Sequence, residues 1–296
     1  MVTGILIAVS AGAFWTLSGI ANSLCARYKL SIITYLFSNV LCSFLLSGFL
    51  CVRYHALTLD SVVSLAPILI PSGILNTSGA LLLQHAMKTG HHGIVFLLSQ
   101  SAMIIPFLFG ILLFREQPTL LQFAGGALIF AGMVCCAAPK IRFGKKAENG
   151  NSRKWLFYAI FAFLGFGLAQ TLMTLPSWYG LKDAANIRTT CLYFGSTLLM
   201  SVYAGVISPG HFDFSKRLIL CGIIVSVLNL ISMMLMFHAL DLLRAYRLSS
   251  IGFPLAIASS LVGFTLYSIL ILREKCYVLT LTGLLQIIAG GIFISK

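Results

Sequence analysis

The chain has 296 residues, of which 59% are hydrophobic and only 9% charged. A soluble domain carries roughly 25% charged residues, so this chain lacks the polar surface to be one and much of it must face lipid. The net charge of +13 is not a nucleic-acid footprint, because most Lys and Arg stand in short connections between apolar runs, as juxtamembrane charges do.

About 20 apolar residues cross ~30 Å of hydrocarbon as a helix. In chain order the apolar runs predict spans at 4–26, 32–52, 62–87, 93–114 and 118–138, then at 155–179, 187–207, 217–240, 246–272 and 278–295. Only helices or closed barrels satisfy the backbone in lipid, and these runs are too long and continuous for barrel strands. The expected class is an all-α integral membrane protein with ten transmembrane helices. No basic stretch precedes the first run, which reads as a span rather than a cleaved signal peptide.

Residues 139–153 form the only substantial connection. With Lys140, Arg142, Lys145, Lys146 and Arg153, they read as a basic linker beside anionic headgroups. The linker divides a unit at 1–138 from one at 154–296. Eight cysteines fall in or at the ends of apolar runs with no CxxC or metal spacing, so no metal or cofactor is expected.

The two units echo each other. Arg115-Glu116, Gly125 and Ala131-Gly132 return as Arg273-Glu274, Gly283 and Ala289-Gly290, each 158 residues later. Leu75-Asn76 and His85-Ala86 return as Leu228-Asn229 and His238-Ala239, 153 residues later. The change of step marks a five-residue insertion between the eighth span and the middle of the ninth, a region holding Arg244, Tyr246 and Arg247. Five spans per unit is odd, so the second unit lies upside down, giving two inverted five-helix repeats. Of the 20 Lys and Arg, the side holding the termini has Arg53, Arg115, Lys182, Arg188, Arg244, Arg247 and Lys296, and the other side has the rest. The positive-inside rule then favours termini outside.

Ten spans in two five-helix units, each ending in an Arg-Glu turn and a Gly-rich fifth helix, resemble the drug/metabolite transporter superfamily, and within it the EamA-type members. The His-Ala-Met-Lys and His-Ala-Leu-Asp ends of the third and eighth spans add to the likeness. The resemblance implies a carrier with alternating access, a central cavity made by spans one to four and six to nine, and peripheral fifth and tenth spans that support packing or a homodimer. It also implies cytoplasmic termini, against the charge count, and a cell (inner) membrane.

Polar residues inside spans point to the bundle interior. Trp15, Ser18 and Asn22 share one helical face, echoed by Gln170, Thr174 and Ser177. Asn39, Ser43 and Ser47 are echoed by Tyr193, Thr197 and Ser201, and Asn76 by Asn229; Ser99 and Gln100 lie in the middle of span four. The amides Asn76, Asn229, Gln100 and Gln170 are read as cavity groups because an unpaired amide in lipid is costly. Ser and Thr are read mainly as ties between helices. All seven acids stand at span ends or in loops, which disfavours proton exchange on a membrane-embedded carboxylate. Glu116 and Glu274 are expected to pair with neighbouring Arg or Lys and cap a helix start. His85 and His238 remain as proton-coupling candidates, and Arg244 with Arg247 as contacts for an anionic group. Pro106, Pro176 and Pro254 predict kinks, and the glycines of spans five and ten predict close helix contact.

The expected function is secondary transport of a small polar or amphipathic metabolite, with lipid as the other partner and no nucleic acid. The alternatives are a non-transporting receptor or scaffold, and a multipass membrane enzyme, for which no HExxH, GxSG or paired intramembrane carboxylate is found.

Overall fold

The computed structural model describes residues 1–27, 31–54, 58–89, 92–143, 154–181, 185–207, 215–271, 273 and 277–296. Side chains at 22–27, 32, 88–89, 92–94, 96–97, 137, 139–143, 186, 207 and 217 are outside that description, as are Glu274 and linker residues 144–153. The described residues are helical, without strands. They form α1 (Val2–Arg27), α2 (Ile32–Arg53), α3 (Leu59–Thr89), α4 (His92–Ser101), α5 (Ile104–Leu112) and α6 (Leu120–Phe143). After the linker come α7 (Lys154–Tyr179), α8 (Ala185–Val202), α9 (Lys216–Arg244), α10 (Gly252–Leu270) and α11 (Val278–Ile294). Seven of them, α1, α2, α3, α7, α8, α9 and α10, are long and apolar enough to cross a membrane; α11 and the stretch Leu120–Cys136 of α6 are shorter apolar segments.

The expected fourth span is two helices with a break at Ala102-Met103. Pro106 has no N–H to give the Ala102 carbonyl, and the Ile105 amide reaches that oxygen instead at 3.1 Å. Pro254 produces no mid-helix kink, because α10 starts at Gly252 and a first-turn proline removes no helical hydrogen bond. Pro176 lies inside α7, and so do Pro67 and Pro71 inside α3. Part of the expected linker is helical, since α6 runs to Phe143.

Apolar attraction does not drive helices together in lipid, so close contact and hydrogen bonds must. A Cβ on Gly12 of α1 would stand 2.1 Å from the Ala256 carbonyl oxygen of α10; Gly73 of α3 meets Leu192 of α8 at 1.9 Å in the same sense. The glycines of α6 and α11 mesh antiparallel, Gly125 against Gly290 and Gly132 against Gly283, each Cβ position 2.6 Å from the opposite carbonyl oxygen. These four glycines are therefore occupied within the chain, and a homodimer cannot use them.

Serine hydroxyls tie the same helices by donating to backbone carbonyls across the seams. Ser232 reaches Ala11 at 2.8 Å, and Ser259 reaches Val9, Ser226 reaches Asn39 and Ser72 reaches Ala169, each at 2.9 Å. Large apolar side chains such as Leu6, Phe49, Val63, Phe157, Leu220 and Leu285 stay exposed around the outside. A soluble monomer does not carry so extensive an apolar surface.

Candidate functional site

A cavity of about 210 Å³ opens among α1, α2, α3, α7, α8, α9 and α10. It draws residues from both sides of the linker. Trp15 of α1 and Phe253 of α10 are stacked, ring centres 6.3 Å apart, and both line it. The Gly12–Ala256 contact one turn earlier on α1 brings these rings together. Asn39, Asn76, Gln170, Tyr193 and Asn229 contribute polar groups, with Thr77 and Ser196 beside them. Leu36, Val40, Ala80, Met173, Leu192 and Met233 fill the remaining wall. No lining residue is charged.

One wall is internally hydrogen-bonded. Ser18 donates to Asn229 Oδ1 at 2.8 Å, and Asn229 Nδ2 donates to Asn39 Oδ1 at 3.4 Å. The opposite wall, at the α3–α7 seam, is not. Gln170 Oε1 is buried without a partner among the described residues, and the Asn76 amide makes no hydrogen bond to a described residue. An amide left unpaired in a dry interior costs about 1–3 kcal/mol, so both side chains call for a partner inside the cavity.

Six sequence-selected residues thus line one space: Trp15, Asn39, Asn76, Gln170, Tyr193 and Asn229. Ser18 stands behind them. The others lie elsewhere. Thr174 turns its hydroxyl to its own helix, donating to the Gln170 carbonyl at 2.8 Å. Ser99 is buried and Gln100 half-buried on α4, neither at the cavity. Ser201 is exposed, and the Asn22 side chain lies outside the described residues. His85 and His238 are both exposed, and His85 Nδ1 bonds the Leu81 carbonyl of its own helix at 2.8 Å. Neither histidine reaches the cavity.

The basic candidates have structural posts. Arg247 is exposed with a φ of 55°; its amide bonds the Arg244 carbonyl at 2.8 Å and the Leu248 amide bonds Leu243 at 3.2 Å. This is a Schellman closure of α9 with arginine in the left-handed position usually held by glycine. Gly180, φ 76°, closes α7 in the same way, Leu181 bonding Pro176 at 2.9 Å. The half-buried Arg244 lays its guanidinium over Gly180, where a Cβ would stand 2.4 Å from it.

Two polar clusters sit at that end of the bundle. Arg188 is fully buried; its guanidinium donates 2.9 Å to Asp241 Oδ1, 3.2 Å to Ser177 Oγ, and to the Leu181 carbonyl. Ser177 also donates to Asp241 Oδ1 at 2.6 Å, and the Phe237 ring lies 5.9 Å from the guanidinium carbon. Glu116 is 4% exposed and does not pair with a neighbouring cation as expected. It accepts from Trp178 Nε1 at 2.7 Å, from the Ser250 amide at 3.1 Å and from the Ser250 hydroxyl. Glu116 does cap a helix start, but that of the 3-10 turn Ser249–Ile251 leading into α10, on the far side of the linker. Phe114 stacks on Trp178 at 4.1 Å and completes the joint.

Sequence reading passed over the apolar lining, Phe253 and Met233 above all, because apolar residues offer no contrast in such a chain. Thr77 and Ser196 were within reach, being next to Asn76 and one turn from Tyr193.

Residues 2–138 match the EamA-like transporter family. A solved crystal structure superposes with a TM-score of 0.72 at 13% sequence identity, covering 99% of this chain and 97% of its own, a likeness of fold. No curated protein sequence matches the chain. With its apolar helices and its surface of exposed hydrophobic side chains, this chain is a multipass membrane protein, and its first unit, 2–138, is similar to the EamA-like transporter family.

Proposed function

We propose that the chain is a secondary transporter that binds a small polar or amphipathic metabolite in the 210 Å³ cavity and exposes it alternately to the two sides of a cell membrane. The observation that carries this reading is the cavity itself, lined from both sides of the linker by uncharged hydrogen-bonding groups, in a chain whose first unit is EamA-like. Ligand pockets usually measure about 300–1,000 Å³, so this conformation suits a small cargo.

The chain crosses ten times in this proposal, with α4 and α5 together as one pass. Residues 1–138 and 154–296 form inverted repeats that rock about the cavity. The start of α1 lies against the end of α9, Gly4 facing Leu242 and Leu243, and α6 and α11 are antiparallel, both of which support opposite directions for corresponding helices. A homodimer would use the outer faces of α6 and α11, where Phe123 and Leu285 are exposed.

The test is flux. Purified protein in proteoliposomes, preloaded with a metabolite that raises its thermal stability, is expected to exchange it with labelled solute outside. A scaffold or receptor would bind the solute and show no exchange, and that result would sink the proposal.

A further inference from the structure

The chemistry of the cavity wall narrows the cargo. Every lining residue is uncharged. The buried charges, Arg188 with Asp241 and Glu116 with Trp178 and Ser250, are outside the lining and already engaged. A charged ligand would therefore exchange water for a space holding no counter-ion, a far larger cost than burying an amide. The carboxamides of Asn76 and Gln170 remain open, beside the Tyr193 and Thr77 hydroxyls. Asn229 spends its oxygen on Ser18 and its nitrogen on Asn39, whereas Asn76 and Gln170 are unspent at the α3–α7 seam.

That seam is rigid. Ser72 donates to the Ala169 carbonyl at 2.9 Å, and a Cβ at Gly165 would stand 3.2 Å from the Leu75 carbonyl oxygen. Asn76 and Gln170 follow directly on residues of these contacts, so their amides are set by backbone packing. A primary amide presents a donor and an acceptor side by side, which matches a molecule with the same pair reversed: a carboxamide, a lactam or an imide edge. Another part of the lining is flat and apolar, with Trp15 stacked on Phe253, and Met173 and Met233 adaptable to a ring.

We propose that the cavity selects an uncharged, flat molecule bearing a carboxamide-type edge, held by Asn76 and Gln170 at that edge and by Trp15 and Phe253 on its face. This deepens the transport reading and rests on the same cavity being the cargo site.

The experiment uses matched rings. Nicotinamide and benzamide are neutral amides, nicotinate and benzoate the matching carboxylate anions, benzamidine a cation, and methyl nicotinate a neutral ring without the N–H. Binding to the full chain in detergent is measured by calorimetry, and exchange of each probe in proteoliposomes. The amides are expected to bind at least tenfold more tightly than any charged probe and than methyl nicotinate. Gln170→Leu and Asn76→Leu each lose that preference with folding intact, since neither side chain has a hydrogen-bond partner to lose among the described residues. Gln170→Glu turns the preference toward benzamidine. A charged probe that binds as well as nicotinamide overturns the proposal, as does unchanged nicotinamide binding in Gln170→Leu; the wild-type ranking decides even if a variant fails to fold. Amide binding without exchange of any probe supports this selectivity and removes the transport reading, whereas exchange of a charged probe does the reverse.

Discussion

The middle of the molecule and the end where α7 and α9 terminate use opposite chemistry. In the middle, amides, hydroxyls and aromatic rings surround open space. At the end, Arg188, Asp241, Ser177, Glu116, Trp178 and Ser250 form hydrogen-bonded clusters outside the lining of that cavity. Charge fastens helix termini here, and neutral polarity is kept for the cavity. The reason is energetic: an ion in a low-dielectric interior is tolerable when it is paired and hydrogen-bonded, a condition that the proposed cargo site, binding and releasing its ligand, would not keep.

The largest effect expected from breaking this contrast is at the ion pair. Replacing Arg188 with Met leaves Asp241 without its cation in a site where the arginine side chain is fully buried. Removing one partner of a buried pair costs about 3–5 kcal/mol; Asp241, at 34% side-chain exposure, puts the loss toward the lower figure. Chemical unfolding in detergent measures it, and the double variant R188M/D241L is expected to recover most of it. A single-variant loss below about 1 kcal/mol would mean the cluster does not fasten these helices.

The joint at Glu116 comes next. Unlike Arg188 with Asp241, it spans the linker, tying the α5–α6 turn to Trp178 and Ser250. Glu116→Leu leaves an indole N–H, an amide and a hydroxyl without their acceptor, at about 1–3 kcal/mol. Glu116→Gln keeps one acceptor and is expected to lose less. If the halves move against each other at this end, both variants raise the exchange rate of a bound probe as well as lowering stability; equal exchange in all three proteins would make the joint purely structural.

Within the cavity the effects shrink. Ser18→Ala removes one donor from Asn229 Oδ1, and such interhelical bonds in membranes average about 0.6 kcal/mol, with about 1.7 as an upper figure. A larger loss measured by the same unfolding would show that the Asn39–Asn229 wall depends on Ser18 for its shape.

The same contrast explains what could be read from the amino-acid order. The apolar runs set the helix positions because lipid leaves the backbone no other choice, and the long amides marked the cavity because they are costly anywhere else. Asn76, Gln170 and Asn229 were legible on that ground, and Asn39 through its stripe with Ser43 and Ser47. Gln100 met the same criterion yet lies off the cavity on α4, so cost marks an interior position without saying which interior. Partners distant in sequence were not legible: nothing beside Glu116 points to Trp178 or Ser250, and the adjacent arginine offered a plausible local partner. Arg247 looked like a ligand contact because its backbone role, a left-handed helix closure, leaves no trace in composition.

The smallest effect tests the histidines. Both were candidates for proton coupling because imidazole titrates near pH 6.5. The structure places them on exposed surface toward opposite ends of the bundle. His85 lies near the end of α3 and His238 near the end of α9; α3 runs antiparallel to α7, as the Ser72–Ala169 and Gly79–Ala162 contacts show, and α7 ends beside α9 through Ser177 and Asp241. His85 is bonded to its own helix and leans on Tyr158, ring centres 6.0 Å apart. Neither touches the cavity or the Glu116 joint, so changing their charge has no route to the cargo. His85→Gln and His238→Gln, singly or together, are expected to leave stability within about 0.5 kcal/mol, as surface substitutions do, and the pH profile of probe exchange unchanged between about pH 5.5 and 8. A profile that flattens in either variant would put a proton path on the outer surface of the bundle, and the division between a neutral middle and fastened ends would then fail as an account of the proposed transport.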